Sequence, residues 1–552
     1  MKGKALVIAI IAVFFLMNFF IAKKTDIPEQ TKTKENIELA IYLNDEETNT
    51  IPSKEGNIYD ETRSSCTNGA YIIWDYETWS PVVKNMSEHK TKCELYFKTG
   101  YKESILNGMD PLLEGLLIPV TIESDGTVKK ADIGSEWYSY EKKNWANAVI
   151  LFDESEDYLA GEVIPEEEIE SYFVWIPKYR YKLWDLGQYD SLTSVDESKV
   201  HEIPILFGDY NTSDNVEGEC TTPMESGTSG NCAVGDYMTH PAFLSIPSTG
   251  FWVGKFEIGY NGATSTAEAQ QNVNDSSKII VKPNTYSWRG IQVANAFYSS
   301  YNYQRKLDSH MMKNTEWGAV AYLQHSAYGS AASVRINNNS DYITGYAANN
   351  EPSCIYTDIN EYCNVCCNDG SCNTAYPNST VASTTGNISG IYDMSGGSFE
   401  YMMGVMLDEE GSPMSGLNSL HNSGFNGKFG CPTCDNMVLT ELTDGYNFPV
   451  EKYYDIYPYS NQITEFSRFE YKNRILGDAT GEMGSFFSLI YNNSERNMGS
   501  WYNDEAYFLN SYTPWFLRGG VAKHGTDAGM FSFEYHYGAT NETASFRMIL
   551  TP

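Results

Sequence analysis

The chain has 552 residues, of which 41% are hydrophobic and 14% aromatic, a composition that excludes an intrinsically disordered protein. This length allows about two to four domains and at least one large core. The formal net charge of −34 excludes nucleic acid as a partner, because no basic surface is available to neutralise phosphates. Such an acidic balance is typical of an exported protein.

Residues 1–24 form a membrane anchor or a signal segment. Residues 5–22 are apolar except for Asn18, and as a helix they would rise about 27 Å, enough to cross a hydrocarbon core. Lys2 and Lys4 precede the run, as the positive-inside orientation requires. A cleaved signal peptide is the alternative, but the run ends without a small-x-small cleavage site. We therefore predict a single-pass transmembrane helix in the cell membrane, with the C-terminal part extracellular.

Three segments follow the anchor. Residues 25–37 are polar and contain Pro and Thr, so we predict a stalk. Residues 38–100 hold short apolar runs separated by turn residues, which predicts a small all-β domain. Cys66 and Cys93 bracket its Trp-rich centre and predict a disulfide bond in an oxidising compartment. Residues 101–169 are predicted to be a β-rich connecting segment.

The other cysteines lie further along the chain. Cys220 and Cys232 flank a Gly/Ser/Thr-rich loop and predict a second disulfide. Seven more lie between Cys354 and Cys434, inside a predicted Cys-rich insertion at 350–435. Two CxxC pairs in this insertion are also compatible with zinc, so its connectivity and a zinc site both remain open.

Two segments have helical spacing, residues 291–305 and residues 314–325. In the second, apolar residues recur at i, i+3 and i+4 from Trp317. Asn314 or Thr315 is predicted to cap this helix, with Glu316 favourable in its first turn.

Several motifs carry a family resemblance. The sequence GIYDMSGGSFE occupies residues 390–400, WFLRGG occupies 515–520, and SFR occupies 545–547. Earlier segments match as well: FVWIP from residue 173, GFWVGKFE from residue 250 and TEWGAVA from residue 315. Together they resemble the core signature of the formylglycine-generating (sulfatase-modifying factor) family. The resemblance implies an α+β fold, with a C-type-lectin-like domain over residues 170–552.

The family's oxidase chemistry depends on two cysteines between the Arg-Gly-Gly and Phe-Arg motifs, whose thiolates suit copper. Residues 521–545 contain no cysteine. The resemblance therefore implies the scaffold without the oxidase activity, and we predict that the protein is not an enzyme. The alternative is an oxidase whose thiols have relocated to Cys431 and Cys434.

The resemblance also assigns roles within the motifs. It implies a calcium ion near residues 390–400 with Glu400 as a ligand, although Gly397 stands where the family has Asn and offers only a carbonyl. Both arginines are expected to be structural, each reaching back to carbonyls or to a carboxylate such as Glu400 or Asp393. The residues predicted to be structural are Asp393, Arg518, Gly519, Gly520 and Arg547.

The interval between the last two motifs is rich in Tyr, His and small polar residues, the composition of adaptable binding surfaces. In receptors of this family that are diversified by reverse-transcription cassettes, the variable segment lies at this position. The predicted ligand-binding residues are Lys523, His524, Asp527, Glu534, Tyr535, His536, Tyr537 and Asn541. We therefore predict a bacterial cell-surface protein that binds a protein or glycan ligand. A passive structural protein of the envelope is the other alternative.

Overall fold

The computed structural model of the chain describes most of the predicted lectin-like domain and parts of the N-terminal region. The described residues are 37–43, 46–48, 62–67, 70–75, 80–84, 91–97, 105–133, 135–156, 158–182, 202–208, 237–246, 248–337, 342–346, 376–407, 422–425, 440–442, 446–458, 475, 477–480, 504–510, 512–521, 524 and 528–552. The predicted membrane segment and every cysteine except Cys66 and Cys93 lie outside them. Within the described residues, no helix has the length and apolar character needed to cross a membrane.

The described residues are mostly sheet. The first strands are β1 (Ile37–Leu43), β2 (Glu46–Thr48), β3 (Thr62–Cys66), β4 (Tyr71–Asp75), β5 (Ser80–Lys84), β6 (Thr91–Phe97), β7 (Ile118–Ile122), β8 (Val128–Lys130), β9 (Asn147–Leu151), β10 (Val163–Ile164), β11 (Ile169–Pro177), β12 (Tyr179–Lys182) and β13 (Ile205–Phe207). They are followed by β14 (Tyr237–Thr239), β15 (Gly250–Gly254), β16 (Gly259–Tyr260), β17 (Ile279–Ile280), β18 (His310–Met311), β19 (Phe399–Leu407), β20 (Thr440–Leu442), β21 (Tyr446–Phe448), β22 (Asp455–Pro458), β23 (Trp515–Arg518), β24 (Phe533–His536), β25 (Ala544–Phe546) and β26 (Met548–Leu550). Two α-helices are described, α1 (Val293–Tyr303) and α2 (Asn314–Gln324).

The N-terminal region contains only strands among its described residues. One sheet has the order β2-β1-β6-β3, and β4 pairs with β5 in a separate hairpin. Cys66 lies opposite Cys93 in the β3–β6 register, and the two form a disulfide. The disulfide predicted from the sequence is thereby confirmed.

The largest sheet has the order β10-β8-β7-β9-β11-β15-β26-β18. In its centre Trp175 of β11 lies opposite Trp252 of β15, and both side chains are fully buried. The last strand of the chain, β26, inserts between β15 and β18. Because β7 to β10 belong to this sheet as well, the boundary predicted between residues 169 and 170 is wrong. The predicted boundary falls at the start of β11, and the pairing of β11 with β9 joins the residues before and after it in one sheet.

Both predicted helices are present, each shorter than its predicted range. The predicted cap of α2 is wrong, because Lys313 is the N-cap residue and Asn314 is already helical. The carboxylate of Glu316 accepts a hydrogen bond from the Lys313 N–H at 2.8 Å, and Asp455 accepts one from the Thr315 N–H at 2.7 Å. The carboxylate of Asp455 on strand β22 thus satisfies a backbone N–H at the start of α2, where we expected a side chain of the helix itself to do so.

Candidate functional site

The three motifs that carry the resemblance meet in one sheet. Its order is β22-β19-β23-β24, with β25 also paired to β19. Glu400 of β19 lies opposite Arg518 of β23 and opposite Ser545 of β25. The N–H of Gly396 donates to the Gly519 carbonyl at 2.8 Å. Segments separated by more than a hundred residues therefore form a single packed framework.

Arg547 anchors this framework to the largest sheet. Its side chain is fully buried, and its Nε and Nη2 donate to the two carboxylate oxygens of Glu400 at 2.8 and 2.6 Å. Its Nη1 donates to the Gly254 carbonyl of β15 at 2.7 Å. This bidentate contact uses the planar fork of the guanidinium and agrees with the structural role expected for Arg547.

Arg518 is also fully buried, but it packs differently. Its guanidinium lies 5.6 Å from the ring centres of both Trp317 and Phe533, in the range of cation–π contacts. Its Nη2 donates to the Ala479 carbonyl at 3.2 Å. The contact with Trp317 ties helix α2 to β23, so this arginine too has a structural position.

The expected calcium site does not fit the residues around Glu400. Both oxygens of this carboxylate accept hydrogen bonds from Arg547, so Glu400 itself is not available as a bidentate calcium ligand. Gly397 has a φ of 77°, and a Cβ there would lie 2.8 Å from Oε1 of Glu257. The positive φ at position 397 and the nearby carboxylate of Glu257 thus explain why this residue is a glycine. We correct the assignment of Glu400 from a metal ligand to an ion-pair partner.

Three carboxylates are buried beside the single guanidinium of Arg547: Glu257, Asp393 and Glu400. Burial raises the pKa of Glu257. Burial and then the charge of Glu257 raise the pKa of Asp393 well above its usual range. Burial raises the pKa of Glu400 to about 7 against the opposing effect of Arg547. Because one cation faces three buried carboxyl groups, the protonated form of Asp393 is favoured relative to that of an exposed aspartate.

These carboxyl groups predict that stability falls above neutral pH. A carboxyl with a raised folded-state pKa binds its proton more tightly in the folded state, so its stabilising contribution is lost as pH rises through that pKa. Three buried histidines act oppositely, because burial lowers the pKa of His240 to about 3 and of His325 and His536 to about 4. The contribution of these histidines to the free energy of unfolding grows with pH and is complete just above their unfolded-state pKa of about 6.5.

Burial also lowers the pKa of Lys255 well below its usual range, so this lysine opposes the carboxyl groups in the same pH window. The variant Asp393→Asn removes one titrating carboxyl and leaves Lys255 in place, and Asn tolerates the φ of 62° at this position. We therefore expect the free energy of unfolding to fall further, or to rise less, between about pH 6.5 and pH 8.5 in the unmodified chain than in Asp393→Asn. Urea unfolding of both proteins at several pH values measures this difference. Identical pH profiles of the two proteins would contradict a raised pKa of Asp393.

The predicted ligand-binding residues are not all on the surface. Lys523 and Asp527 lie outside the described residues. Tyr535 and Tyr537 are 38% and 42% exposed, and Glu534, His536 and Asn541 are half-buried. His524 is only 3% exposed, and its ring packs edge-on against Phe399. Its assignment to a surface is wrong, because its ring is buried against Phe399 of β19.

The exposed tyrosines lie on strand β24 and directly after it. Tyr535 belongs to β24, and its ring packs edge-on against Tyr507 at 5.9 Å. Tyr537 follows the strand, and its ring stacks on that of His536 with ring centres 4.1 Å apart. Nδ1 of His536 contacts the hydroxyl of Tyr401. Strand β24 lies at the end of its sheet order. We call Tyr535 and Tyr537 the β24 face.

The sequence reasoning missed Glu505. Ligand atoms of this buried residue, of His524 and of Glu534 all lie within 4.8 Å of one another. Three separate segments contribute them, so no spacing pattern marks the set. Its only sequence signal was that His524 and Glu534 belong to the same polar interval.

The comparisons with known proteins add no relative. No protein-family model matches the chain, and no curated protein matches it either.

Proposed function

We propose that the protein is a non-catalytic bacterial surface protein, anchored in the cell membrane through residues 1–24, that recognises a protein or glycan ligand. Its recognition domain would be a C-type-lectin-like domain of the formylglycine-generating type. The meeting of the three motifs at Glu400 supports the family resemblance. The ion pair of Glu400 with Arg547, at 2.6 Å, accounts for two motif residues without any catalytic role.

The observation that carries the proposal is the β24 face. Tyr535 and Tyr537 expose large aromatic surfaces, while their neighbours His536 and Tyr507 hold the rings in place. Aromatic rings fixed before binding lose little entropy on contact, and Tyr adds a polar hydroxyl. The half-buried Asn541 follows four residues after Tyr537 in the chain. Such a combination suits stacking on a sugar ring or on an apolar protein side chain.

The test is direct binding of the full 552-residue chain in detergent to arrays of glycans and of surface and matrix proteins. We expect saturable binding to one class of ligand, which also separates glycan from protein recognition. Oxygen consumption with a cysteine-containing peptide and copper would instead support the oxidase alternative. Self-association that depends on concentration, without any outside ligand, would overturn the proposal in favour of a structural envelope protein.

A further inference from the structure

The side chains of Glu505, His524 and Glu534 converge next to strand β24, and each of the three segments is held by its own backbone contacts. Glu505 lies on the segment beside β24, where its carbonyl accepts from the Phe533 N–H at 2.9 Å. His524 lies in the turn after β23, where its N–H donates to the Val521 carbonyl at 2.8 Å. Glu534 belongs to β24 and lies opposite Leu517 of β23. The pairing of β23 with β24 therefore fixes the cluster.

The imidazole of His524 gives a second, independent observation. Its side chain is 3% exposed, and Nδ1 lies 2.9 Å from Oε2 of Glu505. Even so, Nδ1 makes no hydrogen bond among the described residues, so this buried nitrogen faces a carboxylate without the geometry of a donor. Two ligands bound to one ion at about 2.1 Å lie about 3.0 Å apart in octahedral and about 3.4 Å apart in tetrahedral geometry. The distance from Nδ1 to Oε2 is therefore close to that between neighbouring metal ligands.

We propose that Glu505, His524 and Glu534 bind one divalent transition-metal ion of the Zn²⁺ class. Imidazole suits zinc and its neighbours, whereas Ca²⁺ and Mg²⁺ prefer all-oxygen sites. Three protein ligands are fewer than the four of a closed structural zinc site, and they leave a position for water or an outside ligand. The site does not depend on the proposed ligand recognition.

The experiment titrates Zn²⁺ into the full chain after removal of metals with a chelator, and follows binding by calorimetry. Glu534→Gln keeps the size of a half-exposed side chain, so it preserves the fold. We expect this variant to bind one equivalent of Zn²⁺ with an affinity lower by about tenfold or more. Loss of even a residue that only hydrogen-bonds to a metal ligand costs about 10–100-fold in metal affinity. The matched control, Glu542→Gln, removes an exposed carboxylate outside the cluster and leaves that affinity unchanged.

Cobalt separates this site from cysteine sites elsewhere in the chain. Co²⁺ bound by one imidazole and two carboxylates gives weak visible bands without thiolate charge transfer. We expect His524→Ala to remove these bands, while His536→Ala, on the same interval but outside the cluster, retains them. If Glu534→Gln binds Zn²⁺ as tightly as the unmodified chain, or if every cobalt band carries thiolate charge transfer, the proposed site is overturned.

Discussion

Replacement of Arg547 by Met is expected to lower the free energy of unfolding by about 3–5 kcal/mol, the usual cost of leaving one charge of a buried pair without its partner. Arg547 and Glu400 are both fully buried, and Glu257 and Asp393 lie in the same group. The substitution removes the cation that the whole group shares. It also removes the hydrogen bond from Arg547 to the Gly254 carbonyl of β15 in the largest sheet.

Two controls separate charge from packing. Arg547→Lys keeps the charge but loses the bidentate geometry, so we expect an intermediate loss. Combining Arg547→Met with Glu400→Leu removes the stranded carboxylate and should recover part of the stability. Urea unfolding measures all three variants. Equal stability of Arg547→Met and the unmodified chain would contradict the central position given to this ion pair.

Gly318→Ala is expected to destabilise the protein by about 1–3 kcal/mol or more, as overpacking of a core does. Helix propensity alone predicts the opposite sign, because Ala is favoured over Gly by about 1 kcal/mol inside a helix. A Cβ at Gly318 would lie 1.9 Å from the Gly477 carbonyl oxygen and 2.6 Å from the Asp478 Cα. Both contacts are with backbone, so no side-chain rotation relieves them.

Thermal and urea unfolding of Gly318→Ala decide between these two signs. Gly318→Ser serves as a second variant, which we expect to be at least as destabilising because it adds one more atom to the same contact. A Gly318→Ala protein more stable than the unmodified chain would mean that residues 477–478 do not pack against helix α2 as described.

The sequence predicted features whose determinants are local or contained in a motif. The helices near 293–303 and 314–324 and the Cys66–Cys93 disulfide belong to this group. Features that depend on distant segments could not be predicted. Asp455 caps a donor of α2 from another strand, and β7 to β9 join the sheet of β11 by long-range pairing.

The candidate site shows the same difference between local and long-range determinants. The composition of the interval indicated a binding surface, and Tyr535 and Tyr537 in it are exposed. His524 belongs to the same interval but is buried, with its ring against Phe399 of β19. Glu505 lies next to the cluster through the pairing of its segment with Phe533. Glu505 therefore has no signal in the linear sequence.

The central claim is recognition through the β24 face, and the most direct test is the affinity of a Tyr535→Ala/Tyr537→Ala chain for the ligand found on the arrays. We expect a loss of about 30-fold, or about 2 kcal/mol, as for aromatic hot spots. Leu159→Ala, which truncates a 60% exposed side chain near β10, is the matched control and should bind normally. Unchanged affinity in the double variant, with the fold intact, would contradict the account.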